Sequence, residues 1–257
     1  MGAAQFPVIL TYHSISDGDS PLQISPSLFT EQMEWLHANV RVAPLGEVVS
    51  ALTGRKPLPE RTVVLTFDDG FSDFYSSAAP VLRRLKFPAT IFVPTGYCGR
   101  TNQWPTQASW VEPQSLLDWQ QVAGLAKEGF DFGAHSINHA MLTDLPIEES
   151  EREIAGSKAE LEERTARPVE FFAYPCGRWN PAVRAIVLRQ YRGACSTAAG
   201  PVELDADPFA LPRADAHYLR NPALFRMLFT APFLGYLATR RLIRRVRRQP
   251  EGYYARV

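Results

Sequence analysis

The sequence alternates short apolar runs with longer stretches in which apolar residues recur at helical spacing. The short runs are typical of buried strands, because they carry β-branched residues without polar alternation. The predicted strands cover residues 6–12, 40–42, 63–65, 88–93, 130–134, 171–175, 193–196 and 209–212. One helix is predicted to begin at Ser25-Pro26, and further helices cover residues 45–52, 73–86, 113–128, 148–164 and 181–190. This order predicts right-handed βαβ units around a parallel sheet, which is an α/β fold.

Polar residues gather where the predicted strands end. They are His13, Asp68, Asp69, His135, His139, Cys176 and Arg213. In α/β folds the carboxyl ends of the strands surround a crevice, and catalytic groups collect there on loops held by a rigid sheet. Repeated strand–helix units with polar residues at the strand ends favour a barrel over an open sheet. The charged helix 148–164 is predicted to present a solvated face and to carry no site residue.

Residues 97–112 contain two Trp and polar residues without periodicity. They predict an irregular insertion over the strand ends. Two interpretations stay open for it, a wall of a substrate groove and a plain surface loop.

His135 and His139 are spaced so that both imidazoles can reach one ion. The residue after His135 is Ser136, so this is not the metalloprotease pattern His-Glu-x-x-His. An Asp from another strand end would complete three protein ligands, which leaves the open position that a catalytic zinc site requires. Two nitrogens and one oxygen also suit other divalent ions. Without such partners, Asp68-Asp69 has the simpler reading of a helix cap.

Three motifs occur in a fixed order: Thr66-Phe67-Asp68-Asp69-Gly70, then His135-Ser136-x-x-His139, then Tyr174-Pro175-x-Gly177. Together they resemble the polysaccharide deacetylase family, also called the NodB-homology family or carbohydrate esterase family 4. The resemblance spans residues 6–215. It implies a deformed (β/α) barrel that removes acyl groups from amino sugars with the help of a metal.

By position, the resemblance implies that Asp68 is the general base and that Asp69, His135 and His139 are the metal ligands. The implied ion is Zn²⁺, and Co²⁺, Ni²⁺, Fe²⁺ or Mn²⁺ also suit the ligand set. The backbone N–H of Cys176 occupies the position that helps hold the oxyanion. Cys176 stands where Tyr or Phe is usual in the family.

The chain departs from the commonest family pattern at two further positions. No Leu-x-x-His motif follows Arg213, whereas Tyr12-His13 resembles the exopolysaccharide-deacetylase branch, in which the acid comes from the first strand. We therefore expect His13 to be the general acid, with His217 as the alternative. Ala173 stands where many members have an Arg that orients the base, and Arg213 is the expected replacement, paired bidentately with Asp68.

Charge and cysteine content limit the classes of partner and the compartment that we expect for this protein. The 257 residues carry a formal net charge of zero, and Cys98, Cys176 and Cys195 are too widely spaced for a disulfide framework or a Cys-x-x-Cys metal site. We expect reduced thiols in a cytosol-like compartment and no nucleic-acid partner. The amino terminus lacks a secretory signal pattern, and no stretch has the roughly 18 uninterrupted apolar residues of a membrane span.

The segment 222–248 differs in character from the rest, because apolar residues are followed by Arg240, Arg241, Arg244, Arg245, Arg247 and Arg248. We divide the chain into a deacetylase-like domain, residues 1–220, and a basic, apolar helical extension, residues 221–257. Pro232 is expected to split the extension into two helices. Two interpretations of the extension stay open. It is either an amphipathic helix that binds the anionic inner face of a membrane, or a helix that packs on the barrel and is followed by a solvated basic tail.

The expected function is hydrolysis of an N-acyl group, foremost N-acetyl, from an amino sugar in a polysaccharide, a lipid-linked glycan or a small glycoside. The alternatives are a catalytically inactive carbohydrate-binding domain and an amidase or esterase that acts on a non-sugar acyl substrate.

Overall fold

The computed structural model describes residues 6–57 and 61–246. The strands are β1 (Val8–Tyr12), β2 (Arg41–Val42), β3 (Thr62–Phe67), β4 (Thr90–Val93), β5 (Asp131–Ala134), β6 (Phe171–Ala173), β7 (Gly193–Ala199) and β8 (Leu211–Asp215). The helices are α1 (Pro26–Asn39), α2 (Leu45–Thr53), α3 (Ala79–Leu85), α4 (Trp119–Lys127), α5 (Ile147–Thr165), α6 (Pro181–Gln190), α7 (Pro222–Phe225) and α8 (Ala231–Val246).

Within the described residues, seven parallel strands close into a barrel. β1 pairs with β3 from Val8↔Val63 to Tyr12↔Phe67, and it pairs with β8 on its other side. The ring then continues from β8 through β7, β6, β5 and β4 back to β3, while β2 adds to the start of β3 outside the ring. The predicted α/β barrel is confirmed.

The core lies on both sides of the barrel wall, because successive strand residues point to opposite faces. In β1, Val8, Leu10 and Tyr12 pack in the larger cluster with the surrounding helices. Ile9 belongs to a second cluster that holds the other face of the strands together with α2. Since α2 contacts the first residues of β6 and β7, it lies at the amino end of the barrel, and the opposite end remains for a site.

Local sequence signals explain the helix boundaries. The Ser25 hydroxyl caps α1 by accepting the N–H of Leu28 at 3.3 Å, and Pro26 takes the first position, where it is tolerated. The predicted helix 73–86 begins with a π-helical turn, Phe74–Ala78, and continues as α3.

The predicted helix 113–128 is wrong in its first third. α4 begins only at Trp119, after a capping box between Asp118 and Gln121. The residues before it are extended, and Leu116 and Ser115 form isolated bridges to Phe71 and Thr101. Leu116 is therefore buried against Trp104 of the insertion and Leu117 is buried in the main core, and neither lies on a helix face.

The C-terminal helices belong to the main hydrophobic core. Phe225, Leu228, Phe229, Phe233 and Leu237 are buried in the same cluster as the barrel and its helices. The break between α7 and α8 falls at residues 226–230, and Pro232 lies in the first turn of α8, so the expectation that Pro232 splits the segment is wrong.

The exposed residues at the end of α8 include Leu242 and Ile243, while Arg247 and Arg248 lie outside the described residues. The described part of this segment follows the interpretation of a helix packed on the barrel. In the part of the chain that the structure covers, no helix combines the length and apolar character needed to cross a bilayer.

Candidate active site

A carboxylate and two imidazoles converge at the carboxyl end of the barrel. Oδ1 of Asp69 lies 3.4 Å from Nε2 of His135 and 3.3 Å from Nε2 of His139. The three ligand atoms lie within 4.8 Å of one another, and all three residues are buried. The structure thus brings the three predicted ligands to one point from two separate strand ends.

Backbone conformation after β3 separates the two carboxylates. Asp69 adopts a φ of 70° and Gly70 a φ of 68°, both in the left-handed region. Asp tolerates this region better than most residues, and Gly70 is required, because a Cβ there would lie 2.7 Å from Cγ1 of Val93. Asp69 therefore turns toward the two histidines, while Asp68 turns toward β8.

His135 is held in the orientation that a metal ligand needs. Its Nδ1 lies 2.7 Å from the carbonyl oxygen of Ala173, so this nitrogen carries the proton and donates it. Nε2 is then the nitrogen that faces Asp69 and that remains to bind a metal ion. This is the usual support for a metal-bound imidazole, and it could not be predicted from residue types because the acceptor is a main-chain atom.

The loop between the two histidines is anchored by Glu153 of α5. One carboxylate oxygen of Glu153 accepts the N–H groups of Ile137 and Asn138 at 2.9 and 2.8 Å, and the other accepts Nδ2 of Asn138 at 2.6 Å. Ser136 and His139 at the two ends of this loop have left-handed φ values of 61° and 51°. The expectation that the charged helix holds no site residue missed this anchor.

His139 packs against the insertion. Its ring stacks on Trp104 with 4.2 Å between centroids and 27° between planes. Nδ1 of His139 is buried and has no hydrogen-bond partner among the described residues. Trp104 fixes the plane of the ring, a contact that the irregular sequence of residues 97–112 did not reveal.

Asp68 and Arg213 form a buried bidentate ion pair. Nη1 of Arg213 donates to Oδ1 of Asp68 at 2.8 Å and Nη2 donates to Oδ2 at 2.6 Å, while Nε donates to the Ser196 carbonyl at 2.9 Å. The predicted pairing is present. Burial raises the pKa of the Asp68 carboxyl, but the charge and hydrogen bonds of Arg213 outweigh burial and hold that pKa below its ordinary value.

The electrostatics of the three candidate ligands suit a cation. Burial raises the pKa of Asp69, yet the hydrogen bonds with His135 and His139 outweigh it and hold the pKa well below its usual range. Burial lowers the pKa of His139 and favours the neutral imidazole that binds metals. Burial lowers the pKa of His135 too, but the hydrogen bond with Asp69 and the charges of Asp68 and Asp69 outweigh it and raise that pKa. An ionised carboxylate and two imidazole nitrogens within reach of one centre fit a divalent ion such as Zn²⁺.

A cavity that is open to solvent joins these groups to the remaining predicted residues. His13 and Cys176 line it together with Asp68, Asp69, His135, His139 and Arg213. Burial raises the pKa of the Cys176 thiol to about 12, so the thiol stays protonated at neutral pH. Cys176 has a left-handed φ of 55° and precedes Gly177, where a Cβ would lie 2.0 Å from Oγ1 of Thr197.

His217, the alternative acid, is not among the residues that line this cavity. Its backbone N–H donates to Oδ1 of Asp215 at 2.9 Å. The insertion does line the cavity, through Trp104, Thr106, Gln107, Ala108, Trp110 and Val111. Of the two interpretations of residues 97–112, the structure follows the one that makes them a wall of the groove.

Comparison with known proteins agrees with this geometry. The sequence profile of the family described as polysaccharide deacetylase matches residues 55–191. The polysaccharide deacetylase homologue YxkH of Bacillus subtilis (strain 168) is 30% identical over 212 residues, which cover 82% of this chain and 71% of the relative. The poly-beta-1,6-N-acetyl-D-glucosamine N-deacetylase of Escherichia coli (strain K12) is 30% identical over 139 residues, which cover 51% of this chain and 20% of the relative's length.

Among solved structures, IcaB from Ammonifex degensii superposes with a TM-score of 0.74 at 25% identity, over 91% of this chain and 97% of that one. Residues 55–191, which the family profile matches, contain the carboxylate pair, the two histidines and the strands β3 and β5 that carry them. The chain belongs to the polysaccharide deacetylase family.

Proposed function

We propose that this protein is a metal-dependent hydrolase that removes an N-acetyl group from an amino sugar in a polysaccharide, a lipid-linked glycan or a small glycoside. One observation carries the proposal: a buried Asp69–His135–His139 cluster and an Arg-paired carboxylate, Asp68, line the same open cavity. Relatives that are named N-deacetylases of N-acetyl-glucosamine polymers support the choice of substrate.

Asp69, His135 and His139 would hold a divalent ion, with Zn²⁺ as the best match to two nitrogens and one oxygen. When bound, such an ion supplies polarisation of the amide carbonyl and a lowered pKa of water. The chain itself fixes the ligands, through the Ala173 carbonyl at His135 and the Trp104 ring at His139.

Asp68 is the proposed general base. It is ionised at neutral pH because Arg213 holds its pKa down, and the same bidentate contact fixes the plane of its carboxylate. Asp68 accepts the proton of the water that attacks the amide carbon. Arg213 is a positioning residue in this scheme, since both of its terminal nitrogens are directed at Asp68.

The departing amine needs a proton, because an amide anion is a poor leaving group. His13 follows β1 and lines the cavity with Asp68, and it is the proposed general acid. The backbone N–H of Cys176 is the proposed donor to the oxyanion that develops on the acyl carbonyl. This role needs only the main chain, which agrees with a thiol that stays protonated.

The experiment is acetate release from N-acetyl-glucosamine oligomers by chelator-treated protein, before and after one equivalent of Zn²⁺ is added. We expect release only with the ion, and none from Asp68→Asn protein that carries the same ion. The contrary outcome is that the wild type binds the oligomers in calorimetry but releases no acetate with any of the five candidate ions. The protein would then be an inactive carbohydrate-binding domain.

A further inference from the structure

The last described helix adds a wall to the catalytic cavity. Tyr236, Leu237 and Arg240 of α8 line the cavity that also contains Asp68 and Asp69. These positions share one face of the helix, because residues three and four apart lie next to each other. Leu237 is 4% exposed and fixes this face on the barrel. The family resemblance covers residues 6–215 and leaves this wall without an assigned role.

Arg240 is held in place by an aromatic ring. Its guanidinium carbon lies 3.6 Å from the centroid of Tyr218, a stacking distance for a planar guanidinium on a ring. Nε of Arg240 is buried and has no hydrogen-bond partner among the described residues. The side chain is thus oriented by stacking, with N–H groups that stacking leaves available.

Three other charged groups of the cavity are paired with one another or with the histidines. Arg213 is bound to Asp68 through both terminal nitrogens, and Asp69 is bound to the two histidines. The carboxylate of Asp215 also lines the cavity and accepts the N–H of His217. Arg240 therefore brings positive charge to a wall whose other residues on α8 are Tyr236 and Leu237, and Asp215 is the acidic residue on this side of the cavity.

We infer that Arg240 binds an anionic substituent, a phosphate or a carboxylate, carried by the acylated sugar or by its neighbour. A guanidinium fork matches both groups bidentately, and such charge-assisted hydrogen bonds are stronger in a poorly solvated site. The preferred substrate is then an acidic N-acylated amino sugar, and neutral N-acetyl-glucosamine is a poorer one. This inference rests on the proposed deacetylase function and narrows its substrate class.

The test compares three sugars with the same N-acetyl group: the methyl glycoside of N-acetyl-glucosamine, N-acetyl-glucosamine 1-phosphate, and the methyl glycoside of N-acetyl-muramic acid. KM and kcat are measured by acetate release with the full-length, Zn²⁺-loaded chain. We expect KM to be about tenfold lower for at least one acidic sugar, the usual size of one charge-assisted contact. The acidic sugar with the lower KM identifies the preferred anion as a phosphate or a carboxylate.

Arg240→Gln should abolish this preference by raising KM for the acidic sugar about tenfold, with kcat and the neutral sugar unaffected. Arg240→Lys should keep part of it, because the charge remains while the fork is lost. The control is Arg241→Gln, the exposed neighbour on the same helix, which should behave as wild type. Equal KM for acidic and neutral sugars in the wild type, or an equal loss on all three sugars in Arg240→Gln, overturns the inference.

Calorimetry of the same sugars separates this inference from the proposed function. One outcome is that no sugar releases acetate but the 1-phosphate or the muramic acid glycoside binds about tenfold more weakly to Arg240→Gln than to the wild type; this supports the anion site and contradicts the deacetylase activity. The other outcome is that the neutral glycoside is hydrolysed and the acidic sugars neither bind more tightly nor react faster; this supports the activity and contradicts the anion site.

Discussion

Arg213 and Asp68 face each other across the open end of the barrel, 145 positions apart in sequence, with N–O distances of 2.8 and 2.6 Å. Arg213 lies on β8 and Asp68 follows β3, and both strands flank β1. The side chain of Arg213 is 2% exposed and that of Asp68 is 5% exposed. At such burial the pair acts as one unit, in which the guanidinium fixes both the charge and the plane of the carboxylate.

The first prediction concerns Arg213→Lys. Lysine keeps the charge but has no planar fork, so Asp68 should remain ionised while the orientation of its carboxylate is lost. We expect kcat to fall about 10²-fold, since a misplacement near 1 Å has that effect, with little change in KM. Acetate-release kinetics on an N-acetyl-glucosamine oligomer measure both constants. A Lys variant with wild-type kcat would mean that the fork geometry is not needed.

A matched control is available in the chain. Arg184 and Asp207 form another bidentate pair at 2.7 Å, but its side chains are 30% and 34% exposed and it does not line the cavity. Arg184→Lys should therefore leave kcat unchanged.

A stability change is also expected at Arg213. Arg213→Met should lower the free energy of unfolding by about 3–5 kcal/mol, because it leaves the buried carboxylate of Asp68 without its partner.

Sequence patterns predicted the barrel and the groups that meet at its open end. Apolar runs that end in polar residues were enough to predict which groups meet, because the carboxyl ends of parallel strands lie at the same edge of the sheet. The start of α4 was misplaced since Leu116 and Leu117 fit a helical face as well as a buried loop. The capping box at Asp118 was the signal that marked the true start.

The supports of the site could not be predicted in the same way. The Ala173 carbonyl is a main-chain group without a residue signature, and Glu153 lies on a helix whose many charges look alike in sequence. The stacking of Trp104 on His139 depends on how an aperiodic insertion folds. These partners depend on tertiary contacts, which residue periodicity does not encode.

The second prediction concerns Glu153→Gln. One carboxylate oxygen of Glu153 accepts both backbone N–H groups and the other accepts Nδ2 of Asn138. The amide should therefore lose either the Nδ2 contact or both backbone contacts, because its NH₂ group cannot accept a hydrogen bond, and the contacts that remain lose their charge assistance. The left-handed turn between His135 and His139 then loosens. We expect the affinity for Zn²⁺ to fall about 10- to 100-fold, as for other groups that orient metal ligands.

Zn²⁺ affinity in this test is measured by competition with a chromophoric chelator. Glu151→Gln on the same helix is the control, because Glu151 forms an exposed ion pair with Arg189. Equal Zn²⁺ affinities for the wild type, Glu153→Gln and Glu151→Gln would show that the loop keeps its shape without the anchor.

The third prediction concerns the metal cluster. Asp69→Asn replaces a charged ligand with a neutral amide, so Zn²⁺ content after dialysis should fall from about one ion per chain to a small fraction. Elemental analysis of the purified protein measures this directly. Added Zn²⁺ should raise the Tm of the apo wild type but not that of Asp69→Asn, because only the wild type gains binding free energy in the folded state.

His37→Ala is the control for metal content, since His37 is an exposed histidine of α1 and does not line the cavity. It should retain the full stoichiometry. Zn²⁺ bound at one equivalent in Asp69→Asn would move the metal site away from this cluster.

The fourth prediction separates the two candidate acids by their leaving groups. In His13→Ala, kcat on the N-acetyl sugar should fall about 10²- to 10⁴-fold, the range for loss of a general acid. Hydrolysis of 4-nitrophenyl acetate should fall much less, because 4-nitrophenolate departs without a proton. His217→Ala should change neither reaction. A leaving-group-dependent loss in His217→Ala instead of His13→Ala would assign the acid to His217.

The fifth prediction concerns stability and pH at the Arg184–Asp207 pair. Burial raises the pKa of Asp207, but hydrogen bonds from Arg184 and the Phe209 N–H outweigh it, so the folded pKa lies below the ordinary value of about 3.9. A carboxyl with a lowered folded pKa adds stability above its unfolded pKa and loses that contribution as the pH falls through its folded pKa.

The test is Asp207→Asn. At pH 7 its free energy of unfolding should be about 0.5–1 kcal/mol lower than that of the wild type, a range suited to a solvent-screened ion pair. Urea titrations at pH 7 and at roughly pH 3 measure the difference. It should shrink in acid, because the carboxyl of Asp207 in the unfolded chain, with a pKa of about 3.9, is then mostly protonated and folding in the ionised form must release that proton. Asp205→Asn, exposed two positions earlier, should match the wild type at both pH values. A difference that is the same at both pH values would show that Asp207 acts through packing around Phe209 instead of through its charge.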